Sequence, residues 1–400
     1  MMKVKRDEVR NFNNRQELME YLKYRSEHDK WVIPFINEIG VVHIPNEPLF
    51  INQYCKNTTI DKNGYTITLP SIDSDKEEVM DCITSEGGFF MATPFEGKMA
   101  VIPMTEYAYT GTCQRTGDDC PTMMRDVEGY SKKVLPSSEK AARLTRDASL
   151  YGDSCKMLLR DGYIQTNRSK EFVPFDDLEY IERLEQQLAL DHSSFTFDRG
   201  QVSREYLMVE YLLNDIEMEE TVRLALNDAG ADIQELKAGV RLSTSDIGMS
   251  AMRVALFYDA DGIRTVLDGG VTMEHKGDAS ADKFADLLVS LGEIFKDCEN
   301  RIEELGNMDI DDVAECISRI REKATFLPKS AADTVEENCR VKFPNGGTAI
   351  DVYLALNEII QVHASQTKVT PTRYINLSEQ VAKLMKLPFD KIDAGEAFSL

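Results

Sequence analysis

The residues of this chain best suited to chemistry are the cations between Gly129 and Lys170. That segment holds nine lysines and arginines against four acidic residues, whereas all 400 residues together carry a formal net charge of −23. Cations can neutralise phosphates, and tyrosine rings can stack on exposed bases. We therefore expect single-stranded nucleic acid to bind in a local basic groove, through Lys132, Lys133, Lys140, Arg143, Arg146, Arg160, Tyr163 and Arg168. The alternative is a solvated helix face that pairs with acidic parts of the protein.

A helix and a pair of strands must position these cations. Ser137 and Ser138 can cap a helix from Glu139 to Leu150, on which Lys140, Arg143 and Arg146 share about one face. The runs 155–166 and 171–175 are rich in apolar residues and predict two strands that flank 167–170.

A second group of polar residues lies further along the chain. Ser243, Ser245 and Asp246 fall in a link between two predicted strands, and His275 follows the sheet. Hydroxyls, a carboxylate and an imidazole could form a ligand site in which His275 moves protons. The alternative is a polar turn with Gly248 at positive φ, together with a histidine that only holds structure.

The sequence contains no nucleophile elbow, phosphate-binding loop, dinucleotide fingerprint or zinc-protease motif. The acidic run 259–262 lacks the other ligand positions of a calcium loop and predicts a hairpin turn. Eight cysteines form no CxxC pair, so we expect free, reduced thiols. We predict no catalytic residue, no metal and no cofactor.

The pattern of apolar residues predicts an α+β fold with a mixed, largely antiparallel sheet body and a helical C-terminal part. Residues 205–213 read as a central strand, and 281–299 read as an amphipathic helix. We expect three regions: an N-terminal α+β region (1–128), a central sheet domain with the basic helix (129–277) and an acidic helical region (278–400). Residues 111–128 read as an irregular excursion. No apolar run reaches membrane length and no signal peptide is evident, so we expect a cytoplasmic protein with no membrane association.

Four short stretches resemble a phage- and plasmid-borne family that is catalogued only as a domain of unknown function. They are residues 158–176, 242–254, 273–277 and 345–358, within a region of about 156–361. The chain departs from that family's pattern at 263–270, which has no cysteine. The resemblance implies a mobile-element protein in a bacterial host cell that works around DNA, and it supplies no catalytic residues.

Three hypotheses follow. The first is a non-enzymatic mobile-element protein that binds nucleic acid through the basic groove. The second is an acidic phage inhibitor or adaptor that imitates nucleic acid and binds a basic host defence protein, with 278–323 as the decoy surface. The third is an enzyme with its site at Ser243, Ser245, Asp246 and His275. Each is compatible with a homo-oligomer.

Overall fold

The computed structural model describes residues 9–44, 60–62, 65–67, 88–118, 124–127, 130–134, 137–192, 194–228, 233–367, 369 and 371–400. In these ranges the strands are β1 (Arg10–Phe12), β2 (Lys30–Val32), β3 (Gly40–Ile44), β4 (Ile60–Lys62), β5 (Tyr65–Ile67), β6 (Gly88–Phe95), β7 (Lys98–Pro103), β8 (Met124–Val127), β9 (Tyr130–Val134), β10 (Cys155–Arg160), β11 (Tyr163–Ser169), β12 (Thr196–Val202), β13 (Leu207–Leu212), β14 (Leu236–Thr244), β15 (Met252–Ala260), β16 (Ile263–Val266), β17 (Val271–Met273), β18 (Asp309–Ile310) and β19 (Gly347–Thr348).

The helices of the same ranges are α1 (Arg15–His28), α2 (Glu106–Thr116), α3 (Ser137–Ala148), α4 (Asp177–Asp191), α5 (Ile216–Asp228), α6 (Ala281–Leu288), α7 (Leu291–Gly306), α8 (Val313–Lys323), α9 (Lys329–Lys342), α10 (Ala349–Gln366), α11 (Pro371–Lys383) and α12 (Phe389–Asp393). The α+β prediction is confirmed, because the strands pair antiparallel and helices make up the C-terminal part. No helix in the described ranges is both long and apolar enough to cross a membrane.

A large antiparallel sheet has the strand order β1-β12-β13-β14-β15-β16, and β17 also pairs with β15. The predicted central strand is confirmed as β13, which lies between β12 and β14. Alternate residues such as Val209, Val240 and Val254 join one large core with α1, α4 and the C-terminal helices. This core draws on residues from both sides of position 277.

A smaller sheet has the order β11-β10-β2, with its own core on one face. Ala141 and Leu144 of α3 belong to that core together with Met157 of β10. Ile36 and Met91 belong to the same core, so residues from both sides of position 128 form it.

The expectation of irregular structure over 111–128 is wrong in two places, since α2 continues to Thr116 and residues 124–127 form strand β8. Threonines and a glycine lower the helix propensity of this stretch. Thr112 donates its hydroxyl hydrogen bond to the Ala108 carbonyl, and Gly111 lets the helix lie directly on β11. A Cβ at position 111 would come within 2.2 Å of the Asn167 carbonyl oxygen.

The expected strands around 167–170 are also wrong in their bounds. The chain reverses at Asp161 and Gly162, both at positive φ, so that β10 and β11 form a hairpin. Residues 172–176 are not a strand; they lead into α4, which Asp176 caps by accepting from the Leu178 amide at 3.1 Å.

The second face of the large sheet buries an ionised glutamate. The Arg241 Nε donates to Glu210 Oε1 at 2.6 Å, and Arg199 and Arg264 bind the other carboxylate oxygen. Arg264 also reaches Asp198 at 2.7 Å. Burial opposes the charge of Glu210, but the three guanidiniums prevail and hold its pKa at about 2.

We predict that Glu210→Gln lowers the free energy of unfolding by about 3–5 kcal/mol, because it leaves the buried Arg241 without its counter-charge among the described residues. Urea denaturation at pH 7 measures the loss. The native pKa lies below the ordinary 4.5, so the carboxylate stabilises the fold above pH 4.5 and this contribution is lost as pH falls towards 2. The matched control is Glu235→Gln, which removes an exposed pair with Lys237 and costs at most about 1 kcal/mol. A loss at Glu210 no larger than the control contradicts the account.

Candidate functional site

The face of the small sheet that points away from the small core carries the functional candidates. Strand register sets four rows across β2, β10 and β11, because residues opposite one another share a face. Leu158 lies opposite both Trp31 and Thr166, and Lys156 lies opposite Arg168. The pairs Val32–Met157 and Phe35–Ser154 bracket Ile33, which places it beside Lys156. From one end to the other, the rows are Asp29–Arg160–Tyr163, Trp31–Leu158–Thr166, Ile33–Lys156–Arg168 and Phe35–Ser154–Lys170.

The first end of this face borders a cavity of about 270 Å³. It lies between the end of α1, the start of β2, the end of β10, the segment before α4 and the link after β14. Its charged lining residues are Arg25, Asp29, Arg160, Asp176, Asp177 and Asp246. Its apolar walls include Leu22, Trp31, Pro174 and Phe175. The cavity is slightly smaller than the ~300 Å³ at which drug-sized pockets begin, so it suits a small ligand or one part of a larger one.

Asp246 is the carboxylate that links the two arginines of the cavity lining. Its Oδ2 accepts hydrogen bonds from the guanidiniums of both Arg25 and Arg160. Arg160 also binds Asp29 with Nε and Nη2, at 2.9 and 2.5 Å from Oδ2. Arg25 and Arg160 are each only 8% exposed, and their charges hold the pKa of Asp246 below its usual range despite burial.

Asp177 has the opposite environment. Its ion-pair partner is Arg25, with 4.0 Å between Nη2 and Oδ2, and its buried Oδ1 has no hydrogen-bond partner among the described residues. Burial raises its pKa to about 7, and the nearby charge of Asp246 adds to that effect. The Nε of Arg25 is likewise buried and unpartnered. Within one cavity, therefore, the pKa of Asp246 is lowered and the pKa of Asp177 is raised.

His275 lies next to this cluster. Its ring stacks between Phe172 and Phe175, with centroids 4.8 and 3.9 Å away, and its Nδ1 lies 3.0 Å from the Val173 carbonyl oxygen. Burial lowers its pKa, which favours the neutral ring. The His275 Nε2 atom is buried and has no hydrogen-bond partner among the described residues, so it can still accept or donate one hydrogen bond.

The other members of the predicted ligand site are separated from this cluster. The buried Ser245 hydroxyl bonds the Glu205 carbonyl and receives the Met249 amide at 3.0 Å. Ser243 lies on β14 opposite Met208, in the face of the large sheet that carries Glu210. Gly248 has φ +71, as predicted for a turn, and it contacts the Arg168 guanidinium. Asp246 and His275 are therefore close enough to interact electrostatically, whereas neither serine lines the cavity.

The second end of the sheet face is open and combines apolar side chains with cations. Ile33 is 61% exposed and Phe35 is 52% exposed. Lys156 donates to the Phe172 carbonyl oxygen at 2.6 Å, and Arg168 donates to the Ile247 carbonyl oxygen. Neither of these two cations pairs with a carboxylate of the described residues. Exposed Lys170 has Asp153 at 2.9 Å.

The predicted nucleic-acid residues divide between several environments. Arg160 and Tyr163 lie on the sheet face but are buried, and the Arg204 guanidinium lies 5.2 Å from the Tyr163 ring. The side chains of Lys132 and Lys133 lie outside the described part of the chain. Arg143 binds Asp118 at 2.7 Å, and Arg146, 71% exposed, binds Asp147 at 2.8 Å. Lys140 is half-buried on the same helix, α3, which packs on the core side of the sheet.

Two further predictions concern metal and thiol chemistry. No cluster of three or more histidine, cysteine, aspartate or glutamate side chains suited to a metal ion occurs within the described ranges. The expected free thiols are confirmed for Cys155, Cys298, Cys316 and Cys339. The expectation is wrong for Cys113, which is disulfide-bonded. Because the other described cysteines are free, its partner lies outside the described residues.

Several residues of this face and cavity were not predicted as site residues from the sequence: Trp31, Ile33, Phe35, Lys156 and the cavity residues on α1 and α4. One signal was available: the order Trp31, Ile33, Phe35 alternates with period 2, which places these three on one face of an extended segment. The pairing of that segment with β10 had no comparable signal, since it joins distant parts of the chain.

Comparison with known proteins provides no further guide, because no protein-family model, curated protein or solved structure matches this chain.

We predict that Asp177→Asn raises stability at alkaline pH. The native pKa lies above the ordinary 3.8, so the aspartate's stabilising contribution is complete below pH 3.8 and is lost as pH rises through about 7. The uncharged amide avoids this loss. Urea denaturation should show the variant more stable than the unaltered protein by about 1–3 kcal/mol at pH 8, with a smaller difference at pH 5. A variant that is less stable at pH 8 contradicts the environment assigned to Asp177.

Proposed function

We propose that the protein binds single-stranded nucleic acid across the open end of the β2–β10–β11 face. The observation that carries the proposal is the combination of exposed Ile33 and Phe35 with Lys156, Arg168 and Lys170 in two adjacent rows. Single-strand binding needs surfaces on which bases stack and cations that follow the backbone. This face supplies both kinds of side chain on one rigid sheet.

The apolar side chains contribute the stacking surface. Phe35 and Ile33 lie two residues apart on the edge segment, and Trp31 continues the same series towards the cavity. Trp31 in turn contacts Phe172, with ring centroids 5.5 Å apart. Stacking a base on an aromatic ring contributes roughly 1–3 kcal/mol and requires no particular base. The spacing supports contact with two or more successive nucleotides.

The cations contribute the contacts to phosphate. Lys156 and Arg168 use carbonyl oxygens as acceptors, so their positive charge is not cancelled by a carboxylate of the described residues. The pair between Lys170 and Asp153 is solvent-exposed, and such pairs are weak enough to exchange for a phosphate. Acidic residues on α6, α7 and α8 are mostly exposed, so the surface there disfavours nucleic acid and leaves the sheet face as the binding region.

The resemblance to a phage- and plasmid-borne family supports the same proposal. Mobile elements expose single strands during replication and transfer, and a non-enzymatic cytoplasmic protein of such an element would act on those strands. The strong negative charge of the whole chain argues against wrapping a duplex, whose phosphates are denser.

We predict that a fluorescent oligonucleotide of about 15 thymidines binds at low salt, with an affinity that falls as salt rises. Phe35→Ala should weaken binding about tenfold by removing a stacking ring. Lys156→Ala should lower the slope of log affinity against log salt by about 0.7, the value for one phosphate contact on a single strand. Fluorescence anisotropy measures both effects.

The matched control is Arg146→Ala on α3, which removes an exposed cation from the other side of the sheet. It should leave affinity and salt slope unchanged. Loss of binding in Arg146→Ala with full binding in Phe35→Ala and Lys156→Ala would assign the interface to the helix and contradict the proposal. Absence of binding at micromolar protein and low salt would also contradict it, and recovery of a basic host nuclease would then favour the acidic-adaptor hypothesis.

A further inference from the structure

We propose that the cavity beside Trp31 binds a guanine base, whose two adjacent N–H donors face the Asp177 carboxylate. This inference deepens the proposed function, because the cavity lies at the other end of the same sheet face. A strand that crosses the open end could place one base here.

The hydrogen-bonding groups of the cavity determine what it can accept. Asp29 and Asp246 already receive their hydrogen bonds from Arg160 and Arg25. Two buried groups of the lining have no hydrogen-bond partner among the described residues, the Asp177 Oδ1 acceptor and the Arg25 Nε donor, and the Arg25 side chain is more than nine-tenths buried. Unsatisfied buried polar groups are costly, so a ligand that satisfies both gains affinity.

The charge of the cavity excludes acidic ligands. Two arginines face four aspartates, so the lining carries a net charge of −2 with Asp177 ionised and −1 with Asp177 protonated. A phosphate or carboxylate group would be repelled, whereas a neutral ligand rich in N–H donors would be attracted.

The walls of the cavity favour a flat ring. Trp31 and Phe175 line it together with Pro174 and Leu22, and its volume suits one base rather than a whole nucleotide. Aromatic and apolar walls of this kind stack on an unpaired base, and polar groups then read its edge.

Guanine matches the unused groups better than the other bases. Its N1–H and N2–H₂ groups are adjacent donors, which fit the two oxygens of one carboxylate as an arginine does. Its O6 is an acceptor for the Arg25 Nε. Adenine and cytosine each place one donor beside an acceptor, and uracil and thymine offer a single donor, so each of them leaves part of the Asp177 carboxylate unsatisfied.

Ionisation of Asp177 gives the site a pH dependence. Burial, Asp246 and Asp176 raise the pKa of Asp177 to about 7, while Arg25 and Arg160 lower it. Burial lowers the pKa of the nearby His275, although the charge of Asp246 acts in the opposite direction. Only the carboxylate accepts two N–H donors, so guanine affinity should rise as pH increases from 6 to 8.

Titration calorimetry with free guanosine tests the inference on the intact chain. We expect guanosine to bind at least tenfold more tightly than adenosine or uridine at pH 8, and inosine, which lacks the N2 amino group, to bind about tenfold more weakly than guanosine. Asp177→Asn should abolish the preference for guanosine. Asp282→Asn removes the same charge from exposed α6 and should leave guanosine binding unchanged.

Guanosine that binds no more tightly than adenosine, or equally to Asp177→Asn, overturns the inference. If the variant does not fold, the guanosine–inosine comparison on the unaltered protein decides alone. Oligothymidine binding distinguishes the two proposals: a protein that binds the oligonucleotide but not guanosine contradicts only the cavity assignment. One that binds guanosine but not the oligonucleotide contradicts only the sheet-face interface.

Discussion

The Asp246 carboxylate accepts hydrogen bonds from two arginines, and the elements that carry these arginines pack in different hydrophobic cores. Arg25 lies on α1, whose Leu18 and Leu22 pack in the large core, and Arg160 lies on β10, whose Met157 packs in the small core. Removing one partner of such a buried set leaves an uncompensated charge, which costs several kcal/mol. This contact therefore links α1 of the large core to β10 of the small sheet, and the cavity lies beside it with Trp31 and Phe175 in its lining.

The charged side chains on the face of the β2–β10–β11 sheet have different partners at its two ends. Close to Asp246 its charges are paired and buried, so they bind one another rather than a strand of nucleic acid. Two rows further on, Lys156 and Arg168 donate to carbonyl or hydroxyl oxygens, have no carboxylate partner among the described residues, and lie beside exposed Ile33. One face thus provides a stacking and phosphate-binding end and a base-sized cavity, with Trp31 between them.

Local chemistry made much of the fold predictable. Asn14 accepts the Gln16 amide as a helix cap at 2.8 Å, and Asp261 and Gly262 form the expected turn between β15 and β16. The candidate site was less predictable, because the burial of Arg160 depends on Asp29 and Asp246 from distant parts of the chain. The number of charged residues in the sequence does not distinguish Arg160, Arg168 and Arg146 from one another. Their environments differ because strand register, which is non-local, decides which cation meets a carboxylate.

Photo-crosslinking tests the central claim most directly. An oligonucleotide that carries 5-iodouridine is irradiated with the protein, and the attached peptide is identified by mass spectrometry. We expect attachment at Trp31 or Phe35, the aromatic residues of the β2 segment. Attachment confined to α3, or to the acidic helices α6 to α8, would contradict it.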